Sequence, residues 1–276
     1  FLDKHGDEAK PLAGGTELLI HIRDRVVKPK YLVDLSRLKN NLSYVKIEDG
    51  KVKIGALTTV YELYTSILGR DRRFAGFNDV FHGFATMSIR FMATIGGNIV
   101  TATQYSDYTT LLLVYNAYLR VKSLNGERVV KLEDFLIDKR TVDLKNNELL
   151  VEIFFDEPGE NCSSSFIKFD RRRLLIAGIV TNATYLCLED DIIKDVRISF
   201  DMVRDKRIPS RARLVEEYLR GKKYSRELVV EAVENILGKE MVRISDWWTS
   251  GEYRFEMSKV SLIRNLERTV ERIKGG

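Results

Sequence analysis

Hydrophobic and polar positions alternate with period two on both sides of Asp49-Gly50 in LSYVKIEDGKVKIGA, and again through Val196, Ile198 and Phe200. Such alternation marks half-buried strands, and Asp-Gly between two of them marks a hairpin. The same reading places a short buried strand at residues 11–13, a strand at 31–35, and a helix opening at Thr16 and running toward Arg25. The first fifty-odd residues therefore read as a small β-rich unit with one helix. Helices are expected at 59–68 and 72–84, then a loop over 93–107. A helix at 107–115 follows, then a hairpin of 117–123 with 127–132, and a strand at 148–155. Pro158-Gly159 and the polar run 160–165 read as a linker. Beyond it come strands at 166–169, 177–188 and 192–200, the last two joined by a Glu-Asp-Asp turn, and then three helices. Ser225 is placed to cap a helix reaching Leu237, with Gly238 as its stop. Thr249 and Glu252 form a capping box for the final helix, whose apolar stripe is Tyr253, Met257, Val260, Leu266, Val270 and Ile273. The pattern predicts an α+β chain, with one part over residues 1–160 that divides near residue 57 and a second over 161–276.

Composition narrows the class. With 276 residues, 44% of them hydrophobic, the chain can bury one large core or two ordinary ones. Basic and acidic residues, 45 against 40, are interspersed and leave a net charge of +5, which argues against a nucleic-acid-binding face. The densest basic run, Arg171-Arg172-Arg173, reads as a solvated strand end or partner contact. A charged fraction of 31% fits a heat-adapted source. No apolar stretch has the length of a membrane span, and there is no secretory signal pattern. The chain opens at Phe1 in what reads as the end of a helix, so a preceding segment is expected. Cys162 and Cys187 sit in no motif. Two thiols do not satisfy an iron–sulfur cluster, which takes four, and they form no zinc pattern. A reduced cytoplasmic chain is the expected state, with a disulfide as the alternative. His5, His21 and His82 lack metal-ligand spacing, so redox chemistry has to come from a bound organic cofactor.

Two glycine pairs carry the candidate chemistry: PLAGGTELL, residues 11–19, and ATIGGNIVTATQYSD, residues 93–107. Glycine permits positive φ and close approach to the main chain. Exposed N–H groups in such a turn, followed by a helix start, suit phosphate oxygens. Asn98 and Thr101 are placed to bond phosphate or ribityl hydroxyls. Neither pair is a dinucleotide-binding G-x-G-x-x-G or a P-loop. Alone, each is more often a plain tight turn; two anion-cradling loops in one unit suit a single ligand with a central pyrophosphate.

PLAGGTELL, IRFMATIGGNIVTATQYSD, ELLVEI, FIKFDRRR and SGEYRFEMSKVSLIRNLE occur in this order. Together they resemble the FAD-binding medium subunit of the molybdenum hydroxylases, the group of xanthine dehydrogenase, aerobic carbon monoxide dehydrogenase and the archaeal aldehyde or glyceraldehyde oxidoreductases. The resemblance implies a vanillyl-alcohol-oxidase-type (PCMH-type) FAD-binding domain of two subdomains, then a smaller α+β domain with a three-stranded antiparallel sheet and helices. It implies FAD contacts from Pro11, Leu12, Ala13, Gly14, Gly15, Thr16, Glu17 and Leu18 in a first loop and from Thr94, Ile95, Gly96, Gly97, Asn98 and Thr101 in a second. Phe84 matches an aromatic beside the adenine or flavin, Asp107 an acid that hydrogen-bonds the cofactor, Leu150 a residue in the strand flanking the ring, and Lys168 a lysine near it. It implies no catalytic residue and no metal in this chain. A small subunit with [2Fe–2S] clusters and a large molybdopterin subunit are the implied partners, in a cytoplasmic dimer of heterotrimers passing electrons to a terminal acceptor. Leu174 and Leu175 stand where the family commonly has an acid. Loss of that negative charge favours flavin reduction and weakens any transfer of NAD dependence. Two readings compete with this one: a free-standing flavoenzyme of the same fold, such as a cell-wall-precursor reductase, and a non-enzymatic binding module.

Overall fold

The computed structural model describes residues 1–170, 178–201, 208–247 and 249–275. After a helical turn at Leu2–His5 come strand β1 (Ala9–Leu12), helix α1 (Leu18–Arg23) and strand β2 (Tyr31–Asp34), and β1 and β2 pair in parallel as a two-stranded sheet. Residues 11 and 12 are half-buried and Ala13 is exposed beyond the strand end, so the first strand lies two residues earlier, and less deep, than the sequence suggested. Strands β3 (Val45–Glu48) and β4 (Lys51–Gly55) form the expected hairpin, with Asp49 and Gly50 both at positive φ (54° and 68°). That hairpin does not belong to the first small unit. It supplies strands to a five-stranded antiparallel sheet through pairing of β4 with a strand one hundred residues later.

The helices α2 (Val60–Thr65), α3 (Ala75–Gly83), α4 (Met87–Met92), α5 (Ile95–Thr101) and α6 (Asp107–Val114) follow. Thr59 caps α2 with a complete capping box to Glu62. Next come β5 (Tyr118–Ser123), β6 (Gly126–Lys131), a minor hairpin of β7 (Leu136–Asp138) and β8 (Thr141–Val142), and β9 (Leu149–Asp156). The sheet order is β3-β4-β9-β5-β6. One hydrophobic cluster, including Phe74, Phe77, Tyr108, Leu119 and Phe155, fills the space between this sheet and the helices.

Strand β10 (Cys162–Phe169) starts where a linker was expected. Ser163, Ser164 and Ser165 are fully buried within it. Their hydroxyls find partners: Ser163 donates to the Arg72 carbonyl at 2.6 Å, and Ser164 accepts from Gly76 N–H at 2.9 Å. A polar run can enter a core once each hydroxyl is paired. With β11 (Val180–Glu189) and β12 (Ile192–Phe200) it forms the expected three-stranded antiparallel sheet, extended by the two-residue β13 (Ser210–Arg211). Asp190 and Asp191, both at positive φ, make the β11–β12 turn. Cys162 and Cys187 stand opposite each other on β10 and β11 and form a disulfide. The expectation of reduced thiols is thus overturned; strand register brings the pair together across 25 residues.

Helices α7 (Arg213–Leu219), α8 (Arg226–Asn235) and α9 (Gly251–Lys274) complete the chain. Ser225 caps α8, accepting from Leu228 N–H at 3.1 Å, but α8 stops at Asn235 and Gly238 sits in a separate 3-10 turn. The cap of α9 is Ser250, not Thr249, which instead bonds Asp246. Tyr253 is half-exposed, and α9 buries Phe255, Leu262, Leu266 and Val270 beside the polar Ser258, Ser261, Asn265 and Thr269. Two of the polar members bond β11: Asn265 donates to the Asn182 side chain at 2.8 Å, and the Thr184 and Thr269 hydroxyls lie 2.7 Å apart. The first half of the chain is clamped to α9 by Asp79 of α3, which takes Arg272 at 2.7 Å through both oxygens and Arg268 at 3.0 Å.

Candidate functional site

The two glycine segments touch. A Cβ added at Gly14 would lie 2.7 Å from the Met92 carbonyl carbon and 3.2 Å from Ala93 Cα, so only glycine lets the first loop rest on the residues that lead into the second. Gly15, at φ +70°, turns the chain from β1 into α1. Within this loop the N–H groups of Gly14, Gly15, Thr16 and Glu17 find no acceptor among the described residues. The loop is braced from its far side. Arg140, in the β7–β8 turn, lies 2.8 Å from His21 Nε2 and 3.1 Å from Glu17 Oε1, and its N–H donates to the Ala102 carbonyl at 2.7 Å.

The second segment differs from its expected form. Gly96 and Gly97 are not a turn. They lie in the first turn of α5, capped by Thr94, whose hydroxyl accepts from Gly97 N–H at 3.2 Å. The other amides there are also used: Ile95 N–H donates to the Thr58 carbonyl and Gly96 N–H to the Ala56 carbonyl, both at 2.9 Å, and Asn98 N–H to the Thr94 carbonyl at 3.0 Å. Gly96 is required by contact, since an added Cβ would lie 2.7 Å from the Ala56 carbonyl oxygen. The Thr101 hydroxyl donates back to the Gly97 carbonyl at 2.8 Å. Among the described residues the Asn98 Oδ1 atom is buried without a partner, as are Gln104 Oε1 and Asp107 Oδ1 further on.

Asp107 opens α6 and is buried. Its Oδ2 lies 2.8 Å from Lys168 Nζ on β10. Burial alone favours the neutral amine, but Asp107, aided by Asp201 and Asp170, holds Lys168 above its ordinary value. Burial also pushes the Asp107 carboxyl upward, against the pull of Lys168. Phe84 is half-buried with its ring 5.7 Å from that of Tyr108. The turn bearing it is pinned by the buried Arg90, which donates to the carbonyls of Phe84 at 2.5 Å and Ala85 at 3.2 Å. Leu150 is buried in β9 opposite Val121, one residue before Val151, whose carbonyl accepts from Ala56 N–H. The fold therefore joins the two loops directly and sets Asp107 with Lys168 and Phe84 with Tyr108. Leu150 lies in the sheet behind Ala56. Arg171, Arg172, Arg173, Leu174 and Leu175 lie outside the described residues.

Comparison with known proteins now bears on the geometry. Residues 1–157 match the family described as FAD binding domain in molybdopterin dehydrogenase, and residues 164–269 match CO dehydrogenase flavoprotein C-terminal domain. The chain belongs to the FAD-binding medium subunits of the molybdenum hydroxylases. The glyceraldehyde dehydrogenase medium chain of Sulfolobus acidocaldarius is 34% identical over 257 residues, spanning 92% of this chain and 88% of its own length. The carbon monoxide dehydrogenase medium chain of Afipia carboxidovorans is 28% identical over 277 residues, spanning 99% and 93%. A solved carbon monoxide dehydrogenase from Hydrogenophaga pseudoflava, lacking the Mo-pyranopterin moiety of its cofactor, matches with a TM-score of 0.91 at 25% identity, over 98% of this chain and 92% of that one. Its fold is that of the present α+β chain.

This medium subunit is an oxidoreductase flavoprotein, and its residues fit FAD. Four amides of the first loop, without an acceptor among the described residues, are donors suited to phosphate oxygens. The orphaned oxygens of Asn98, Gln104 and Asp107 are acceptors suited to hydroxyl or N–H groups. Sequence reasoning missed Ala56, Met92, Arg90, Gln104 and Arg140. Ala56 and Met92 act through their main chains, and Arg140 comes from a distant turn, so none leaves a local signal. Among the described residues no helix is long and apolar enough to cross a membrane.

Proposed function

We propose that this chain holds FAD between the loop of residues 11–18 and the segment 94–101, within a complex whose large molybdopterin subunit oxidises the substrate. A small subunit with [2Fe–2S] clusters delivers the electrons, and a terminal acceptor outside this chain receives them. FAD, when bound, supplies the capacity to collect two electrons and pass them on; the protein binds, orients and tunes it. The observation that supports this reading is the close approach of Gly14 to Met92 and Ala93, which brings a loop whose amides have no acceptor among the described residues against the start of the second segment. Gly14, Gly15, Thr16 and Glu17 would hold the pyrophosphate by their N–H groups, with Asn98 and Asp107 accepting from the rest of the cofactor. Phe84, Leu150 and Lys168 are assigned to its aromatic ends.

Of the aldehyde-, purine- and CO-like substrates, an aldehyde is favoured, because the glyceraldehyde dehydrogenase relative is more similar to this chain than the xanthine dehydrogenase subunit at 26%. The assembly is a dimer of heterotrimers in the cytoplasm. A disulfide is compatible with that location in proteins of heat-adapted organisms. The test is the visible spectrum of the natively purified chain, with the flavin identified after release, and the subunits that accompany it. Bound FAD with a molybdopterin chain and an iron–sulfur chain is the expected result. A colourless chain that takes up no added FAD would refute the reading.

A further inference from the structure

One row of side chains crosses three strands beside the candidate FAD site. Lys168 on β10 stands opposite Thr181 on β11. Asp201, just past β12, donates its N–H to the Thr181 carbonyl at 3.1 Å and accepts Thr181 N–H on Oδ1 at 2.7 Å. Residues opposed across neighbouring strands project to one face. The same face meets α6, whose Asp107 reaches Lys168. Among the described residues Asp107 Oδ1 is buried without a partner, and the Thr181 hydroxyl has the Asp201 carboxyl as its neighbour. Asp201 itself is fully buried.

One ammonium therefore serves two buried carboxyls, with the half-buried Asp170 nearby. It cannot neutralise both, and a buried unpaired carboxylate is strongly disfavoured. Among the described residues the other cations of the surrounding elements are engaged elsewhere, Arg264 of α9 over the Phe169 ring. Arg90, facing Tyr108 of α6, bonds carbonyls; Arg211 of β13 pairs with Glu216; and Arg254 of α9 bonds the Ile179 carbonyl and pairs with Asp246. Among the described residues no cation bonds Asp201, so burial favours a proton on it, while Asp107 has the short contact to Lys168. Burial pushes the Asp201 carboxyl up to about 7, with Thr181 and Lys168 opposing and Asp107 adding to the rise.

We propose that Asp201 is a positioning residue for the FAD site: its bound proton leaves Lys168 wholly to Asp107, which keeps Asp107 Oδ1 available to the cofactor. Loss of that proton sets Asp201 in competition with Asp107 for the ammonium and adds negative charge behind an anionic ligand. This rests on the assignment of Asp107 to the FAD site. By linkage, FAD binding and proton binding at Asp201 strengthen each other by the same factor.

The experiment titrates the flavin-free chain with FAD by fluorescence quenching from pH 6 to pH 8.5, for the wild type and Asp201→Asn. The wild-type Kd should rise above neutrality, approaching tenfold per pH unit. The variant, which mimics the protonated carboxyl, should be flat over that range. His21, which faces Glu17 in the first loop, is present in both and cancels. Calorimetry of the wild type in two buffers of different ionisation enthalpy gives a second readout that needs no variant. Proton uptake on FAD binding near pH 7.5 is expected, and zero uptake or release overturns the proposal. Identical pH profiles in wild type and variant overturn it alone. A chain that takes up no FAD at any pH removes the site assignment, and the proposal falls with it.

Discussion

In Gly14→Ala the new methyl group has to enter space held by the main chain of Met92 and Ala93. It would meet the Met92 carbonyl carbon at 2.7 Å, with the carbonyl oxygen nearer still. Unstrained carbon contacts begin at about 3.5 Å, so clearing the carbonyl carbon alone takes ~0.8 Å and clearing the nearer oxygen takes more. No rotamer change relieves the clash, because the obstacle is backbone. Overpacking of this kind costs about 1–3 kcal/mol. Parting the two segments is also what spoils the cradle, so much of that cost should appear as lost affinity. A loss of 2–3 kcal/mol corresponds to FAD binding weaker by about 30- to 150-fold. The assay is a fluorescence titration of the flavin-free chain with FAD, run beside a thermal melt. Gly50→Ala is the control. That residue, unlike Gly14, has a positive φ (+68°), but it has nothing within 4 Å of an added Cβ, and it lies in the β3–β4 turn. It should lose about 1–2 kcal/mol of stability and none of the FAD affinity. The reasoning is refuted if Gly14→Ala binds FAD as the wild type does, or if Gly50→Ala weakens binding as much.

Reduction of the Cys162–Cys187 bond releases a loop of 25 residues, whose closure is worth roughly 3–4 kcal/mol; the urea midpoint should fall when dithiothreitol is added, and an unmoved midpoint would show that the bond contributes nothing. Because the Asp201 carboxyl is raised by burial from 3.8 to about 7, the folded chain keeps a proton that the unfolded chain has lost. Its contribution to stability is therefore greatest below pH 4, declines as pH rises to about 7, and is then level, with an upper bound of about 4 kcal/mol. Asp201→Asn should remove that decline from melting curves taken between pH 5 and pH 8, and persistence of the decline would assign it to another group. Asp79→Asn leaves Arg268 and Arg272 facing an amide and should cost about 3 kcal/mol in chemical denaturation. A loss no larger than that of an exposed Asp would mean the clamp is idle.

The hairpin at Asp49-Gly50, the β11–β12 turn and the cap at Ser225 were legible because each depends on residues adjacent in sequence. What failed depended on partners far away. Ser163, Ser164 and Ser165 read as linker, since nothing local announces the carbonyl and N–H groups that satisfy them. The β3–β4 hairpin was read correctly as a hairpin, yet its sheet is decided by pairing with β9. The two glycine pairs look alike in sequence. Gly15 has the positive φ that was expected, whereas Gly96 is helical and is required by the Ala56 carbonyl across the site. The motifs located the candidate site, and the jobs of their residues were set by tertiary contacts.

The two halves of the site also differ in how their amides stand toward water. The N–H groups of residues 95–98 are bonded within the chain whether or not a ligand is present, whereas those of residues 14–17 are bonded to nothing described. Solvent deuterium should therefore replace the protons of Gly14, Gly15, Thr16 and Glu17 at close to the rate of an open chain. Segment 95–98 exchanges only when α5 opens or parts from residues 56–58. The first loop is thus a built-in gauge of occupancy. Its exchange slows when an anion fills it and recovers when the anion leaves, while the second segment serves as an internal standard that hardly changes.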